Sequence, residues 1–180
     1  MNINAIVAMS SNRGIGLNNK LPWRFKDDML RFKKITIGNG NNVVIMGKNT
    51  WESVGVLPGR HNFILSTTLQ MSYEKDNYLV QTFETINEIL SFIQERVYDQ
   101  IWVIGGSKVY ESFLDKHLID RFYVTVIDKQ INCDSHLCPF PDYYLQEKHT
   151  ICDKLYEENH KVYYIIYKKI NEHENSKITF

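Results

Sequence analysis

The chain reads as a single α/β domain built on a mainly parallel sheet. Three observations carry that expectation. Short apolar runs recur along the chain, several of them without polar alternation, as strands buried on both faces require. Stretches with helical periodicity separate them, the βαβ rhythm of a parallel sheet. Finally, residues 144–170 read as two strands around a turn at 157–160, which adds an antiparallel edge.

Residues 3–9 (I-N-A-I-V-A-M) form the first expected strand, short, apolar and expected to be buried. Residues 10–20 hold Gly14, Gly16, Asn12, Asn18 and Asn19, a loop long enough to act as a lid. A helix is expected from just beyond Trp23 to about Thr36. A strand at 42–46 then leads through Gly47 into a short helix carrying Trp51, Ser53 and Val54. After the turn Leu57-Pro58-Gly59-Arg60 comes a strand at 62–66, a polar connection, and a short strand at 78–80. Thr85 and Glu88 have capping-box spacing, with Ile86, Ile89, Leu90, Ile93 and Val97 as the apolar stripe of the helix they open. The strand 101–104 meets a helix at 107–114 through Gly105-Gly106, and a strand follows at Arg121–Ile127. The second closing strand (K-V-Y-Y-I-I-Y) lacks alternation and is expected to be buried. Residues 1–170 make the domain, and 171–180 a polar tail.

Composition narrows the function classes. At 180 residues and 43% hydrophobic content, the chain can bury a full core. Lys+Arg and Asp+Glu both total 21, so the basic excess of a nucleic-acid binder is missing. Cys133, Cys138 and Cys152 lack metal-finger spacing and read as reduced thiols. No signal peptide or membrane-length run is visible, so a soluble, cytoplasmic protein is expected, and a monomer, since no apolar surface patch can be read from the sequence. The six histidines are scattered without ligand spacing, and no serine sits in a nucleophile elbow, so neither a metal site nor acyl transfer is expected.

Chemistry concentrates at residues 21–32 (L-P-W-R-F-K-D-D-M-L-R-F). At about 100° per residue, Phe25, Met29, Phe32 and Ile35 share an apolar arc of roughly 120°. Asp28 falls inside that arc, beside a tryptophan expected in an exposed loop, and Asp27 points away. An unpaired carboxylate on a core-facing side is expensive, which marks Asp28 as a functional acid. Two strand-to-helix junctions add anion-binding potential. At Gly105-Gly106-Ser107 backbone N–H groups can approach a phosphate, although a tight turn explains the glycines equally well. At Gly47-Lys48-Asn49-Thr50 a cation joins the glycine, and two such junctions suit a ligand with separated phosphates, such as a dinucleotide. Arg60, after a rigid turn, can fork onto a carboxylate or stand alone at the surface.

These stretches in order resemble dihydrofolate reductase: A-I-V-A-M-S-S-N-R-G-I-G-L-N-N-K-L-P-W, F-K-D-D-M-L-R-F-K-K-I-T, V-I-M-G-K-N-T-W-E-S-V, L-P-G-R-H-N-F-I-L-S, V-I-G-G-S-K-V-Y and F-Y-V-T-V-I-D. The resemblance implies an eight-stranded, mostly parallel sheet with four helices, and NADPH-dependent reduction of 7,8-dihydrofolate to tetrahydrofolate. It further implies dihydrofolate as partner, and methotrexate and trimethoprim as inhibitors. By the same resemblance Asp28 matches the pterin-binding carboxylate, with Thr125 as its hydrogen-bond partner. Trp23 matches a position that holds a water near Asp28, and Tyr110 joins these three as a catalytic position. Ile6, Val7, Ala8, Phe32, Val54, Leu57 and Ile104 match the walls of the folate site, and Arg60 the arginine for the glutamate α-carboxylate. For NADPH it points to Ala8, Ile15, Gly16, Gly47, Lys48, Asn49, Thr50, Leu65, Ser66, Thr67, Gly105, Gly106, Ser107, Lys108, Val109 and Tyr110, with the Gly105–Gly106 peptide cis.

Two departures stand out. Asn49 replaces a common basic or histidine residue, so preference for NADPH rests on Lys48, Ser66, Thr67 and Lys108. The loop after Asp128 is longer, with Leu137-Cys138-Pro139 inserted, and Asp134 matches an acid that bonds the mobile loop. The chain ends soon after its last strand, so no fused thymidylate synthase is expected. The related reductase of riboflavin synthesis would not need Leu21-Pro22-Trp23 ahead of Asp28, nor Arg60. A non-catalytic nucleotide- or nucleic-acid-binding module is disfavoured by zero net charge.

Overall fold

The computed structural model describes residues 2–152 and 160–170. In chain order the elements are β1 (Ile3–Ser10), β2 (Gly14–Gly16), α1 (Lys26–Ile37), β3 (Val43–Gly47), α2 (Lys48–Val54), β4 (His61–Leu65), β5 (Ser72–Lys75), β6 (Tyr78–Phe83), α3 (Ile86–Gln94), β7 (Ile101–Val103), α4 (Ser107–Asp115), β8 (Arg121–Ile127), β9 (Ser135–His136), β10 (Tyr144–Ile151) and β11 (Val162–Lys169). The main sheet runs β10-β11-β8-β1-β7-β3-β4-β6-β5. From β8 to β6 every pairing is parallel, and antiparallel strands close both edges.

The sheet therefore has nine strands where eight were expected. The additional one, β5, lies in the stretch read as a polar connection; its four residues are all exposed and carry no apolar signal. What makes it a strand is its turn. Asp76 and Asn77 sit at φ of 52° and 68°, the primed geometry that returns a hairpin with the right twist. The loop at 10–20 also contains a strand, β2, paired antiparallel with β9.

Alternation across the central strands builds the two faces. Ile3, Ala5, Val7 and Met9 of β1 join Val43, Ile45, Ile101 and Val103 on one face, under Ile86, Ile89 and Ile93 of α3 and Phe113 of α4. Ile6, Val44, Met46 and Trp102 point the opposite way, against Phe32 and Ile35 of α1 and Trp51 of α2. A strand covered on both faces disfavours polar residues, which is why these runs are mostly apolar, with Asn4 of β1 and Asn62 of β4 as buried exceptions.

Several expectations are corrected. Trp23 is buried at 7% exposure, not in an exposed loop, and clusters with Phe25, Ile127 and Val162. Met29, placed in the apolar arc of α1, is 53% exposed, and Phe25 is the N-cap before the helix. Val97 lies beyond the end of α3, is 88% exposed and belongs to no stripe. Strand β11 is largely half-buried rather than buried. The capping box at α3 is present: Glu88 N–H donates to Thr85 Oγ1 at 3.2 Å, and Glu84 N–H to Glu88 Oε2 at 3.0 Å. Apart from His160, the turn at 157–160 lies outside the described residues, as does the tail at 171–180.

Candidate active site

The first turn of α1 aims Asp28 at β8. Thr125 Oγ1 donates to Asp28 Oδ1 at 2.5 Å, a short charge-assisted bond. Through strand register Thr125 also stands opposite Ala8 of β1. Burial raises the Asp28 carboxyl above its ordinary range, while the Thr125 bond and the charge of Arg31 pull it back. Arg31, one turn along α1, donates from Nη1 to the same Thr125 Oγ1 at 3.4 Å. Close by, the Tyr110 hydroxyl donates to the Ile6 carbonyl at 2.7 Å. That phenol is fully buried and held neutral, pushed upward by desolvation and by the Asp28 charge.

Arg60 is buried, at 2% exposure, rather than lying at the surface. Its Nε donates to the Pro58 carbonyl at 3.1 Å, Nη1 donates to Thr36 Oγ1, and its guanidinium lies 5.7 Å over the Phe32 ring. Burial alone brings it down to about 10, with no carboxylate contributing, so it is still cationic at neutral pH. A buried cation without an anion is costly and suits a site that receives one. Leu57 is fixed beside it by both edges of the Asn62 amide. Phe32, Leu57 and Ile104 are half-buried around Ile6, whereas Val54 is 47% exposed at the end of α2.

On the far side of β1 the two glycine junctions meet. Gly47 N–H donates to the Gly105 carbonyl at 2.8 Å, so the starts of α2 and α4 are neighbours. The Gly105–Gly106 peptide is cis, as expected, and Gly105 has φ of 100°. A Cβ on Gly105 would lie 2.7 Å from the Tyr110 ring, and one on Gly47 2.9 Å from Val109 Cγ2. Only glycine permits that closeness. Neither helix has a side-chain N-cap. Lys48 Nζ reaches Thr68 Oγ1 at 3.2 Å and Glu52 at 3.8 Å. Ser66 is buried at the end of β4 beside half-buried Leu65, and Asn49, Thr67 and Lys108 are exposed.

The β2 loop is pinned over this region despite the longer connection that follows Asp128. Asp134 N–H donates to the Gly16 carbonyl at 3.0 Å, and Asn18 N–H to Asp134 Oδ2 at 2.7 Å. Ser135 Oγ bonds Ser107 Oγ at 3.2 Å, tying the loop's partner strand to α4, and Ile15 packs on the core.

A family model described as "Dihydrofolate reductase" matches residues 2–169. The chain belongs to the dihydrofolate reductase family. A dihydrofolate reductase of Buchnera aphidicola subsp. Baizongia pistaciae is 38% identical over 183 residues, covering 100% of this chain and 93% of that protein. One from Drosophila melanogaster is 36% identical over 151 residues, 79% of this chain and 82% of the relative. The type 3 dihydrofolate reductase of Salmonella typhimurium is 35% identical over 144 residues, 79% and 80%. Dihydrofolate reductases are oxidoreductases that use a nicotinamide cofactor. The uncapped starts of α2 and α4, brought together at Gly47 and Gly105, fit the paired phosphates of such a cofactor. Among the described residues no helix is long and apolar enough to cross a membrane.

Two polar residues of this site escaped the sequence reading. Thr68 offers its hydroxyl to Lys48. Arg31 was legible as the i+3 neighbour of Asp28, the spacing at which helix side chains meet.

Proposed function

We propose that the protein reduces 7,8-dihydrofolate to 5,6,7,8-tetrahydrofolate with NADPH, supplying one-carbon metabolism. The observation that carries this reading is the half-buried Asp28, held by Thr125 among the apolar strand ends of β1 and the residues of α1. NADPH supplies the hydride, delivered to pterin C6.

The chain's own residues bind, orient and keep water out. Asp28 accepts from the pterin N3 and 2-amino groups, with Thr125 holding the carboxylate in place. Ile6, Ala8, Phe32, Val54, Leu57 and Ile104 wall the ring and exclude solvent, which strengthens that charge; the Val7 side chain packs on the opposite face of the sheet, so only its backbone faces the site. Arg60 receives the glutamate α-carboxylate. Tyr110 fixes the middle of β1 through the Ile6 carbonyl, so that bound rings would meet a rigid strand. Asp28 does not deliver the proton to N5 itself. A water entering as the residue 10–20 loop moves does so, and Trp23 orders a water near the carboxylate. On the cofactor side, Gly105, Gly106, Ser107, Val109 and Thr50 would hold the pyrophosphate, and Ile15 and Gly16 would contact the nicotinamide half. Lys48, Ser66, Thr67 and Lys108 recognise the 2′-phosphate, with Leu65 and Asn49 beside the adenosine.

The test is the loss of NADPH absorbance on adding dihydrofolate, repeated with methotrexate and trimethoprim as inhibitors. Dihydrofolate-dependent oxidation that methotrexate abolishes is expected. Oxidation that fails to appear at any workable enzyme concentration refutes the proposal.

A further inference from the structure

The carboxylate of the pterin site has a cation beside it. Arg31 is half-buried one turn beyond Asp28, and its guanidinium carbon lies 4.4 Å over the Tyr164 ring of β11. It donates to Thr125 Oγ1 at 3.4 Å, and Thr125 donates to Asp28 Oδ1 at 2.5 Å. A guanidinium has donors only, so the single Thr125 hydroxyl proton must point at Asp28. The three side chains form one chain of donors, anchored on β8 at its middle and covered by an aromatic ring from the neighbouring strand. No role given above uses Arg31.

We propose, resting on the dihydrofolate reading of this site, that Arg31 sets the charge the pocket accepts: neutral pterin rings are retained, and rings that bind as cations are penalised. A neutral pterin brings N–H donors and needs an acceptor, which Asp28 remains beside Arg31. A protonated ring also needs net negative charge, and the arginine cancels part of it at short range in a partly buried site. Other groups near Asp28 do not offset this. Tyr110 of α4 and Tyr164 of β11 are pushed upward by burial and stay neutral, and the shift of Asp28 has Arg31 as its one charged contributor. Tyr123 of β8 and Cys152 interact with Arg31 in turn. Burial works against the arginine's charge, but a guanidinium keeps its proton at any pH the fold experiences.

The test compares folate with methotrexate. They share the benzoylglutamate tail, while the 4-amino group makes the methotrexate ring the stronger base. Dissociation constants are measured by fluorescence quenching for the wild type and for Arg31→Met, Arg31→Gln and Arg31→Lys. Arg31→Met and Arg31→Gln are expected to shift the folate-to-methotrexate ratio of dissociation constants about tenfold in favour of methotrexate. Arg31→Lys, which keeps the charge, should hold the wild-type ratio. A packing role alone would weaken both ligands together, and that result overturns the proposal, as does a lysine variant that shifts as far as methionine. A wild type without dihydrofolate-dependent NADPH oxidation overturns the parent reading and this one with it. An active wild type with an unresponsive ratio overturns only the role of Arg31.

Discussion

Replacing Asp28 by asparagine separates what the carboxylate contributes to turnover from what it costs the fold. The swap keeps shape but exchanges one acceptor oxygen for a donor nitrogen facing the pterin's own donors. Asp28 is the carboxylate bonded to Thr125 at 2.5 Å, and the Asn42 and Asn62 amides are already engaged elsewhere, with Thr36 and Leu57. Hydride transfer at neutral pH should fall by about 10²–10⁴, equivalent to roughly 2.7–5.4 kcal/mol of barrier. The deficit should shrink on acidification, because dihydrofolate already protonated in solution replaces part of the missing help. Stability should move the other way. Burial raises the folded-state carboxyl, with the attraction of Arg31 already counted in the net shift. Ionised Asp28 therefore destabilises the fold above its folded pKa, and the penalty fades as pH falls through that value toward the unfolded one. Asp28→Asn should melt above the wild type at neutral pH, with the gap closing in acid. Stopped-flow hydride transfer and thermal melts across pH read the two arms, and Asp27→Asn is the control expected to retain turnover. An asparagine variant with wild-type transfer, or an Asp27→Asn variant that loses it, refutes the reasoning.

Lys48→Ala should weaken NADPH while leaving NADH nearly untouched, by about 1.5–3 kcal/mol for a lost charge-assisted contact, or roughly ten- to a hundredfold; equal weakening of both places Lys48 away from the 2′-phosphate. Arg60→Met should raise KM for dihydrofolate by roughly ten- to a hundredfold and leave a dihydropterin without the glutamyl group unaffected; an equal loss on both substrates removes Arg60 from the carboxylate. Gly105→Ala puts a side chain at φ of 100° and 2.7 Å from the Tyr110 ring; a cost of about 1–3 kcal/mol should lower Tm by about 2–10 °C, and an unchanged melt contradicts the close approach.

What the sequence revealed follows from which interactions are local. The parallel core was legible because strands covered on both faces disfavour polar residues, and Thr85 with Glu88 announced α3 within four positions. Asp28 was legible because its helical phase disagreed with its charge. Strand β5 was not: its four residues are exposed, and only the Asp76-Asn77 turn and pairing with β6 make it a strand. Trp23 was misplaced because its burial depends on Ile127 and Val162, more than a hundred positions away, which no local window contains. Arg31 could have been found from spacing, but its link to Asp28 runs through Thr125, a residue supplied by a distant strand.

The central position of β1 sets the order in which the molecule can complete itself. Ile3 pairs with Ile101 on one side, and Ala8 with Thr125 on the other. Strand β1 thus waits for β7 and β8, which come far later in the chain, before either edge is satisfied. Until then its apolar residues have no partner strand, and such exposed segments invite wrong pairings. Ile6 and Ala8, proposed to wall the pterin ring, lie on this strand, and the Tyr110 bond to the Ile6 carbonyl crosses the same gap. An intermediate lacking β1 has neither Ile6 and Ala8 nor the Tyr110 anchor of the candidate site. Activity during refolding should therefore appear with the insertion of β1 and lag behind the recovery of helical signal.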